Sequence, residues 1–284
     1  CMKRPQRALN FFDFVAERQA VLQRRRKGLK RSEWTSDAML QYARFCNIDR
    51  KDDAVTRELL VEFKRPHWQH HEKVMLAAAL RFTGSRRGEA QRLAAYIDSK
   101  NGASALAHAL ANGSIKCGVG TYQMSLSRQQ VSTRIESLSM AISQRVQARG
   151  PFTDVAEAAD FIANKMTFAT RPQFSANETA KDLAYVDGLM SELSSTRCRL
   201  GPGARKGLAL IRRLSDTRLA GTDNDAVHAL TEQLRRTQRK GLDPPALAWM
   251  QAIDVEQALC EYAKYEAYRT GGISKMKQFN PVAT

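Results

Sequence analysis

The chain has 284 residues, of which 43% are hydrophobic and 26% are charged, so it can bury a full core and does not have the composition of a disordered protein. It carries 45 Lys and Arg against 29 Asp and Glu, a formal net charge of +16. No run of about 18 apolar residues occurs in it, so we expect no membrane-spanning helix and no membrane partner.

The cysteines are widely spaced and include no CxxC pair. This pattern predicts reduced thiols rather than a disulfide scaffold or a structural zinc site. The first residues, which include Lys3, Arg4 and Arg7, lack the apolar core of a signal peptide. We therefore expect a cytoplasmic protein without a bound structural metal.

The positive charge is clustered along the chain. Residues 1–31 contain ten Lys and Arg and have a net charge of +8, and two further basic stretches occupy residues 197–213 and 235–240. Such clusters favour a nucleic-acid partner, because binding neutralises phosphates and releases counterions. The alternative is a solvated basic surface that keeps the protein soluble.

The predicted secondary structure is helical nearly throughout, because Ala, Leu, Arg, Gln and Glu dominate and apolar residues recur at three- and four-residue spacing. The candidate helices span residues 8–30, 36–47, 52–63, 70–82, 88–99, 127–148, 153–166, 176–193, 203–214, 223–239 and 253–270. Only residues 115–124 show a weak strand signal. We predict a compact all-α multi-helix bundle, either one domain over residues 1–284 or two lobes that meet near residue 150, at Gly150-Pro151.

The first predicted helix contains two arginines, Arg18 and Arg25, within its apolar stripe rather than opposite it. A buried arginine is unfavourable unless it meets an acid or a ligand's phosphate or carboxylate. If the next helix continues past residue 47, four polar residues lie on its core-facing side: Cys46, Asn47, Arg50 and Asp53. Such a group indicates either a buried salt-bridge network or the floor of a binding site, and spacing alone leaves both open.

The segment Gly201-Pro202-Gly203 opens a predicted helix. A glycine-rich turn at a helix N-terminus presents backbone N–H groups and the positive end of the helix dipole, which suits a phosphate. Arg205 and Lys206 add charge, so we predict that Gly201, Gly203, Arg205 and Lys206 bind DNA, although an ordinary turn has the same sequence pattern. The pattern GxxxxGK[ST] is absent, which argues against a P-loop nucleotidase.

The last predicted helix is rich in carboxylates. Asp254, Glu261 and Tyr265 share one face, whereas Glu256, Cys260 and Lys264 share another. A carboxylate beside a small pocket would supply a general base. The alternative, which the pattern alone favours, is an ordinary helix with ion pairs such as that of Glu261 with Lys264.

Spaced motifs recur in order along nearly the whole chain. They are Glu17-Arg18, Arg24-Arg25, Trp34-Thr35-x-Asp37-x-x-Leu40, Arg44-Phe45-x-Asn47-x-x-Arg50-x-x-Asp53, Phe174-x-Ala176-x-Glu178-x-x-x-Asp182-Leu183-x-Tyr185, Gly201-Pro202-Gly203-Ala204 and Asp254-x-Glu256-x-x-Leu259-Cys260-Glu261-x-x-Lys264-Tyr265. Together they resemble the phage-encoded α-glutamyl/putrescinyl thymine pyrophosphorylases, also described as amino acid:DNA transferases. One departure is Arg171-Pro172-Gln173-Phe174, where that family tends to have a Gly-x-Gly-x-Phe hairpin.

The resemblance implies a fold related to the helix-hairpin-helix DNA glycosylases and a reaction on double-stranded DNA that carries 5-hydroxymethyluracil. A companion hydroxymethyluracil DNA kinase would first pyrophosphorylate the hydroxymethyl group. The protein would then replace pyrophosphate with the α-amine of a free amino acid, a small one such as glycine. Because this chain contains no P-loop, it resembles the stand-alone transferase more than the kinases to which a related helical domain is fused. A phage-encoded enzyme of this kind would act in the host cytoplasm.

Such a displacement needs an extruded base, a basic groove for the duplex and a cavity for pyrophosphate. Arginines aimed at the leaving group stabilise its charge, which favours Arg18, Arg25, Arg44 and Arg50 as a clamp. With the resemblance, the predicted substrate-binding and pyrophosphate-binding set is Arg18, Arg25, Arg44, Asn47, Arg50, Asp53, Glu178, Asp182 and Tyr265, in which Asn47 reads the uracil edge. Magnesium often accompanies pyrophosphate and is the one candidate cofactor, although no acidic cluster identifies its ligands.

The predicted catalytic set is Asp254, Glu256, Glu261, Cys260 and Lys264. One of the three carboxylates would deprotonate the incoming amine. Cys260 could add to the pyrimidine ring at C6 and help expel pyrophosphate, but a buried structural cysteine is the favoured interpretation. Two other classes of function remain open, namely a base-excising glycosylase and a non-catalytic DNA-binding module.

Overall fold

A computed structural model of the chain describes residues 9–83, 88–115, 127–167, 173–191, 197–214, 219–237 and 247–272. These residues form thirteen α-helices, and an isolated β-bridge joins Phe152 to Met190. The all-α prediction is therefore confirmed, whereas the relation to helix-hairpin-helix glycosylases stays a prediction. No helix within the described ranges is long and apolar enough to cross a membrane.

The helices follow one another in the order α1 (Phe11–Arg26), α2 (Arg31–Trp34), α3 (Ala38–Tyr42), α4 (Ala54–Glu62), α5 (His70–Phe82), α6 (Glu89–Ile97), α7 (Gly102–Ala111), α8 (Arg128–Arg149), α9 (Val155–Lys165), α10 (Gln173–Leu183), α11 (Pro202–Leu214), α12 (Asp223–Arg236) and α13 (Ala252–Arg269). A 3-10 turn at Arg50–Asp52 precedes α4. Most of the residues with the weak strand signal lie outside the described ranges, as do Arg171 and Pro172.

Several elements differ from the sequence prediction. The helix predicted over residues 176–193 ends at Leu183, and the short α2 was not among the candidates. The predicted helix over residues 36–47 ends at Tyr42, because Ala43 is extended with φ −79° and ψ 147°. The helix therefore does not continue past residue 47, which was the condition for Cys46, Asn47, Arg50 and Asp53 to share one of its faces. A further difference is α7, an Ala-rich helix that was not among the candidates and that buries Leu106, Ala109 and Leu110.

The chain divides into two compact units, one formed by residues 1–50 with 200–284 and the other by residues 51–199. Gly150, near which the sequence suggests a boundary, lies inside the second unit. It caps the C-terminus of α8 with φ 77°, a left-handed conformation that favours glycine.

In the first unit, α13 is the central helix and packs against α1, α3, α11 and α12. Aromatic rings join it to α1: the Phe14 ring centroid lies 5.5 Å from that of Tyr262 and 5.2 Å from that of Tyr265. Phe45 adds a further ring, 5.9 Å from Phe14. Because these large side chains are buried together, they fix α1 and the segment after α3 on α13.

The contact between α11 and α13 depends on glycine. A Cβ atom at Gly203 would lie 2.4 Å from Cys260 Sγ, and one at Gly207 would lie 2.1 Å from the Leu259 carbonyl oxygen. Both distances are far below van der Waals contact. The two glycines, one helical turn apart, therefore allow the helices to approach more closely than any residue with a side chain would permit.

In the second unit, α10 is the central helix, and every residue from Ser175 to Leu183 is buried. It packs against α5 and α9, and α5 in turn contacts α6 and α8. Polar residues of α10 are paired inside this core, so the unit is built around buried charges as well as apolar side chains.

Candidate active site

A small cavity in the first unit is lined by two arginines and five apolar or aromatic residues: Arg18, Val21, Arg25, Trp34, Leu40, Ala43 and Phe45. Its volume is about 10 Å³, room for a single water molecule, and it is partly open to solvent. No carboxylate belongs to the lining. A cavity with two guanidinium groups and no acid is suited to an anion.

Local structure explains how the walls form. Arg18, Val21 and Arg25 lie three and four residues apart and so share one face of α1. In the extended segment after α3, side chains alternate, so Ala43 and Phe45 are buried while Arg44 between them is exposed.

Arg18 is the buried centre of the cavity, with only 4% of its surface exposed. Its Nη2 donates to the carbonyl oxygens of Cys46 at 3.0 Å and Phe45 at 3.4 Å, but its Nε has no hydrogen-bond partner. Burial lowers the pKa of Arg18 to about 10, Glu261 opposes that change, and the charge of Arg25 adds to it. The protonated guanidinium is therefore held in an environment that an anionic ligand would stabilise.

A second group of cations surrounds Trp34. The guanidinium carbons of Arg25 and Arg31 lie 5.4 and 5.6 Å from its ring centre. Burial lowers the pKa of Arg25, and the charges of Arg26 and Arg31 lower it further. Cation–aromatic contacts thus hold like charges close together beside the cavity.

Phe45 is the link to α13. Its ring lies 5.4 Å from the Arg18 guanidinium carbon and 5.1 Å from Lys264 Nζ. Lys264 Nζ is in turn 2.5 Å from Glu261 Oε2. Glu261 and Lys264 therefore lie next to the cavity wall, although neither lines it.

The buried carboxylates of α13 accept backbone N–H bonds from other segments. Asp254 Oδ1 accepts from Arg50 at 3.0 Å, Glu256 Oε1 from Gly201 at 3.0 Å and Glu261 Oε2 from Cys46 at 2.9 Å. These three bonds fix residues 46–50 and the turn at Gly201 on α13. The carboxylates therefore position loops, whatever chemistry they also perform.

The pKa of Asp254 is strongly changed by its surroundings. This residue is 2% exposed, and its Oδ2 also accepts from the Gln251 N–H at 2.9 Å. Burial raises its pKa to about 7, and the charge of Asp49 raises it further, while the Arg50 N–H opposes that change. Its protonation state therefore changes near neutral pH.

The four arginines of the predicted clamp have different environments. Arg18 and Arg25 line the cavity, whereas Arg44 is exposed and Arg50 is buried outside the lining. Asn47 is half-buried, and its backbone carbonyl oxygen accepts a hydrogen bond from the Gln257 side chain.

Tyr265 is fully buried, and its hydroxyl donates to Asp37 Oδ2 at 2.7 Å. Burial and Asp37 together raise the pKa of Tyr265. Because Asp37 also caps the N-terminus of α3 through its Oδ1, this bond fixes α3 on α13.

Cys260 is exposed on α13 rather than buried. The interpretation of Cys260 as a buried structural cysteine is therefore wrong. Its Sγ faces the position where Gly203 lacks a Cβ.

Three predicted substrate ligands belong to the second unit. Asp53 caps α4 by accepting from the Thr56 N–H at 3.3 Å. Asp182 accepts two bonds from Arg81, at 2.5 and 3.0 Å, and Glu178 accepts one from Lys181 at 2.7 Å. Both pairs are buried, so these carboxylates neutralise cations of their own core.

Sequence reasoning missed three residues of these arrangements, namely Arg81, Arg31 and Trp34 as a cavity wall. For Arg81 a signal exists, since it is the one charged residue in the apolar run of residues 74–82. For Trp34 and Arg31 the decisive contacts are with Arg25 and Tyr42, which belong to other helices, so spacing does not show them.

The predicted DNA-binding turn has a structural use as well. The Gly201 N–H donates to Glu256, and Gly203 packs against Cys260. Arg205 and Lys206 are exposed on the first turns of α11. The two basic side chains are thus accessible, while the Gly201 N–H bonds within the protein.

A comparison with protein families identifies the chain. The model described as "5-hmdU DNA kinase, helical domain" matches residues 6–275, nearly the whole chain. The chain belongs to this family. Its description names a kinase of 5-hydroxymethyldeoxyuridine in DNA, so the family is one of DNA base modification. Neither the curated proteins nor the solved structures contain a match to the chain.

Within the part of the chain that the structure describes, no group of three or more His, Cys, Asp and Glu side chains could hold a metal ion.

Proposed function

We propose that the protein replaces the pyrophosphate of 5-pyrophosphomethyl-deoxyuridine in double-stranded DNA with an amino acid. The amine nitrogen forms a bond to the exocyclic carbon, the carbon–oxygen bond to the diphosphate breaks, and pyrophosphate leaves with the bonding electrons. The amine loses a proton to a carboxylate. The observation that carries the proposal is the cavity of Arg18 and Arg25.

Charge and hydrogen-bond donors at the cavity support a diphosphate ligand, and the cavity would have to widen to admit it. Arg18 offers an Nε–H without a partner in a desolvated position, where a bond to an anion is strongest. Arg25 adds a second guanidinium on the same helix face. Once a diphosphate is bound, these groups would stabilise the charge that develops on the leaving oxygen.

Glu261 is the carboxylate that we assign as the base. It interacts electrostatically with Arg18, and it pairs with Lys264 beside the Phe45 wall. Both oxygens of Asp254 accept backbone N–H bonds, which suits a positioning role. Because Cys260 is exposed, its addition to the pyrimidine C6 is kept as a testable covalent alternative.

The remaining partners follow from charge and family. Duplex DNA is expected to bind the exposed Arg205 and Lys206 through phosphates. A hydroxymethyluracil DNA kinase would act first, which agrees with membership of a kinase-associated family. The amino acid is a small one such as glycine, Mg²⁺ is the candidate cofactor, and the setting is the cytoplasm of a phage-infected host.

A second candidate function is supported by the family description itself. A helical domain of a kinase could hold modified DNA for a phosphoryl-transfer site located elsewhere, without reacting chemically. This function requires DNA binding but not the Arg18 cavity. A base-excising glycosylase is the third alternative.

One experiment separates the three. Duplex DNA that contains hydroxymethyluracil is incubated with a hydroxymethyluracil DNA kinase, ATP, the protein and isotopically labelled amino acids. The DNA is then digested to nucleosides, whose masses are measured by mass spectrometry. A labelled amino acid adduct that requires both the kinase and the protein supports transfer. Abasic sites would indicate excision, and unchanged nucleosides with retained DNA binding would indicate a helical DNA-holding domain. Replacing Cys260 with Ala tests the covalent route, which full turnover of that variant would eliminate.

A further inference from the structure

The turn between α1 and α2 is exposed and strongly basic. Arg26, Lys27 and Lys30 are all exposed, and Leu29 at the turn is 40% exposed. Gly28 has φ +74° and open space around the position of a Cβ atom. The turn therefore presents cations and one apolar side chain to solvent.

Helix capping explains only part of this charge. Basic residues in the last turn of α1 interact favourably with the negative end of its dipole. Lys27 is the C-cap of α1, whereas Lys30 and Arg31 lie beyond the helix, where that stabilisation falls off. Glu33, the first acidic residue after the turn, accepts from the Lys30 backbone N–H at 2.9 Å.

Arg31 connects this turn to the cavity. Its guanidinium carbon lies 5.6 Å from the ring centre of Trp34, which lines the cavity, and 5.4 Å from that of Tyr42. Tyr42 is 45% exposed, an unusual position for an aromatic ring in a charged surface. One arginine thus bridges the cavity wall and an exposed aromatic ring.

We infer that residues 26–31 and Tyr42 form the surface on which a DNA strand rests as its modified nucleotide enters the Trp34 cavity. The cations bind phosphates on either side of the extruded nucleotide, and the Tyr42 ring stacks on a neighbouring unpaired base. Exposed aromatic rings among cations are the usual platform for unpaired nucleotides. The identity of the nucleotide rests on the proposed function, whereas DNA binding at this surface does not.

The charge of the surface favours DNA over other partners. Residues 26–31 contain four Lys and Arg and no acidic residue. An extruded nucleotide needs phosphate contacts close to the pocket that receives its base, because the backbone is continuous on both sides of it. The short connection through Arg31 and Trp34 provides that closeness.

The test uses equilibrium binding of a hydroxymethyluracil duplex, with 2-aminopurine beside the modified base, over a range of salt concentrations. Tyr42→Ala is compared with Tyr42→Phe, which keeps the ring. The double variant Lys27→Gln/Lys30→Gln is compared with a control double variant, Lys100→Gln/Arg149→Gln. The control removes the same charge from exposed positions of the second unit. Circular dichroism confirms that each variant is folded.

We expect Tyr42→Ala to weaken binding about fivefold or more, as loss of one stacked base predicts. The 2-aminopurine fluorescence of the complex should rise, because stacking on the Tyr42 ring would quench it. Tyr42→Phe should bind like the parent. The Lys27 and Lys30 pair should lower the salt slope by about 1.8, at about 0.9 for each phosphate contact, and the control pair should not.

Unchanged binding by Tyr42→Ala, or equal effects of the two charge pairs, would overturn the inference. Failure of the proposed function is recognised separately, because absence of an amino acid adduct leaves these binding results unaffected. Binding of a second copy of the protein instead of DNA would appear as a concentration-dependent mass in sedimentation without DNA, and it would also count against the inference.

Discussion

The backbone N–H of Cys46 donates to Glu261 Oε2 at 2.9 Å, a bond between residues 215 positions apart. Through it, the last described helix fixes the segment that supplies Phe45 to the cavity and whose carbonyl groups accept from Arg18. The same carboxylate pairs with Lys264. The cavity of Arg18 and Arg25 is therefore connected to α13 through this hydrogen bond.

Arg18 should control the affinity for inorganic pyrophosphate. We expect Arg18→Gln to weaken its binding about tenfold or more, since a hydrogen bond to a charged group contributes roughly 1.5–3 kcal/mol. Isothermal titration calorimetry measures the affinity. Arg44→Gln is the matched control, because Arg44 is exposed and outside the cavity lining. Equal affinities of the two variants would contradict the assignment of the cavity, provided that both unfold cooperatively.

Asp254 should make stability depend on pH. Its folded pKa of about 7 lies above the ordinary value of 3.8, so the folded state binds its proton more tightly than the unfolded state. This stabilisation is complete below the ordinary value and is lost as pH rises through 7. Relative to Asp254→Asn, the parent should lose stability between pH 4 and 7 with a slope approaching about 1.4 kcal/mol per pH unit.

Urea unfolding at several pH values measures that difference. Above pH 8 it should be constant, because Asp254 is then ionised in both states. A difference that is constant over the whole range would mean that the N–H bonds from Arg50 and Gln251 keep Asp254 ionised.

The stability losses caused by alanine at the two glycines of α11 should differ in whether Cys260→Ala restores them. We expect Gly203→Ala to destabilise the protein by about 1–3 kcal/mol, because its Cβ would overlap Cys260 Sγ. Adding Cys260→Ala should restore most of that loss, since the Cys260 Cβ would be 3.4 Å away. Gly207→Ala should not be rescued by Cys260→Ala, because its Cβ would overlap the Leu259 backbone. Thermal unfolding of the five proteins tests this, and equal rescue would refute it.

Asp182 should be required for folding of the second unit. Asp182→Ala leaves the buried Arg81 without its partner, which typically destabilises by about 3–5 kcal/mol. The double change Arg81→Met with Asp182→Leu should be less destabilising, since it removes both buried charges of this pair together. Denaturant unfolding measures both. If Asp182→Ala were as stable as the parent but lost activity, Asp182 would be a substrate ligand, as the sequence resemblance predicts, and not mainly the partner of Arg81.

Several features could be predicted from the sequence because they depend on neighbouring residues. The three- and four-residue spacing of apolar positions predicted most helices, and α5 has the bounds predicted for it. The same periodicity placed Arg18 inside the apolar stripe of α1, and it is buried there. Helix ends were less predictable: the helix at Tyr42 ends early because the following residues bond to α13 and not to the preceding turn.

By itself, the sequence determined that the protein is all-α and strongly basic and that one arginine faces its core. Composition and helical periodicity are local properties and can be read without the fold. Only the tertiary structure decided which groups meet that arginine. It enclosed Arg18 and Arg25 with Trp34 and Phe45, directed the carboxylates of α13 to distant backbone N–H groups, and paired Asp182 with Arg81. The physical reason is that a buried charge is satisfied by whatever group the fold brings within hydrogen-bond distance, and here those groups lie tens to hundreds of residues away along the chain.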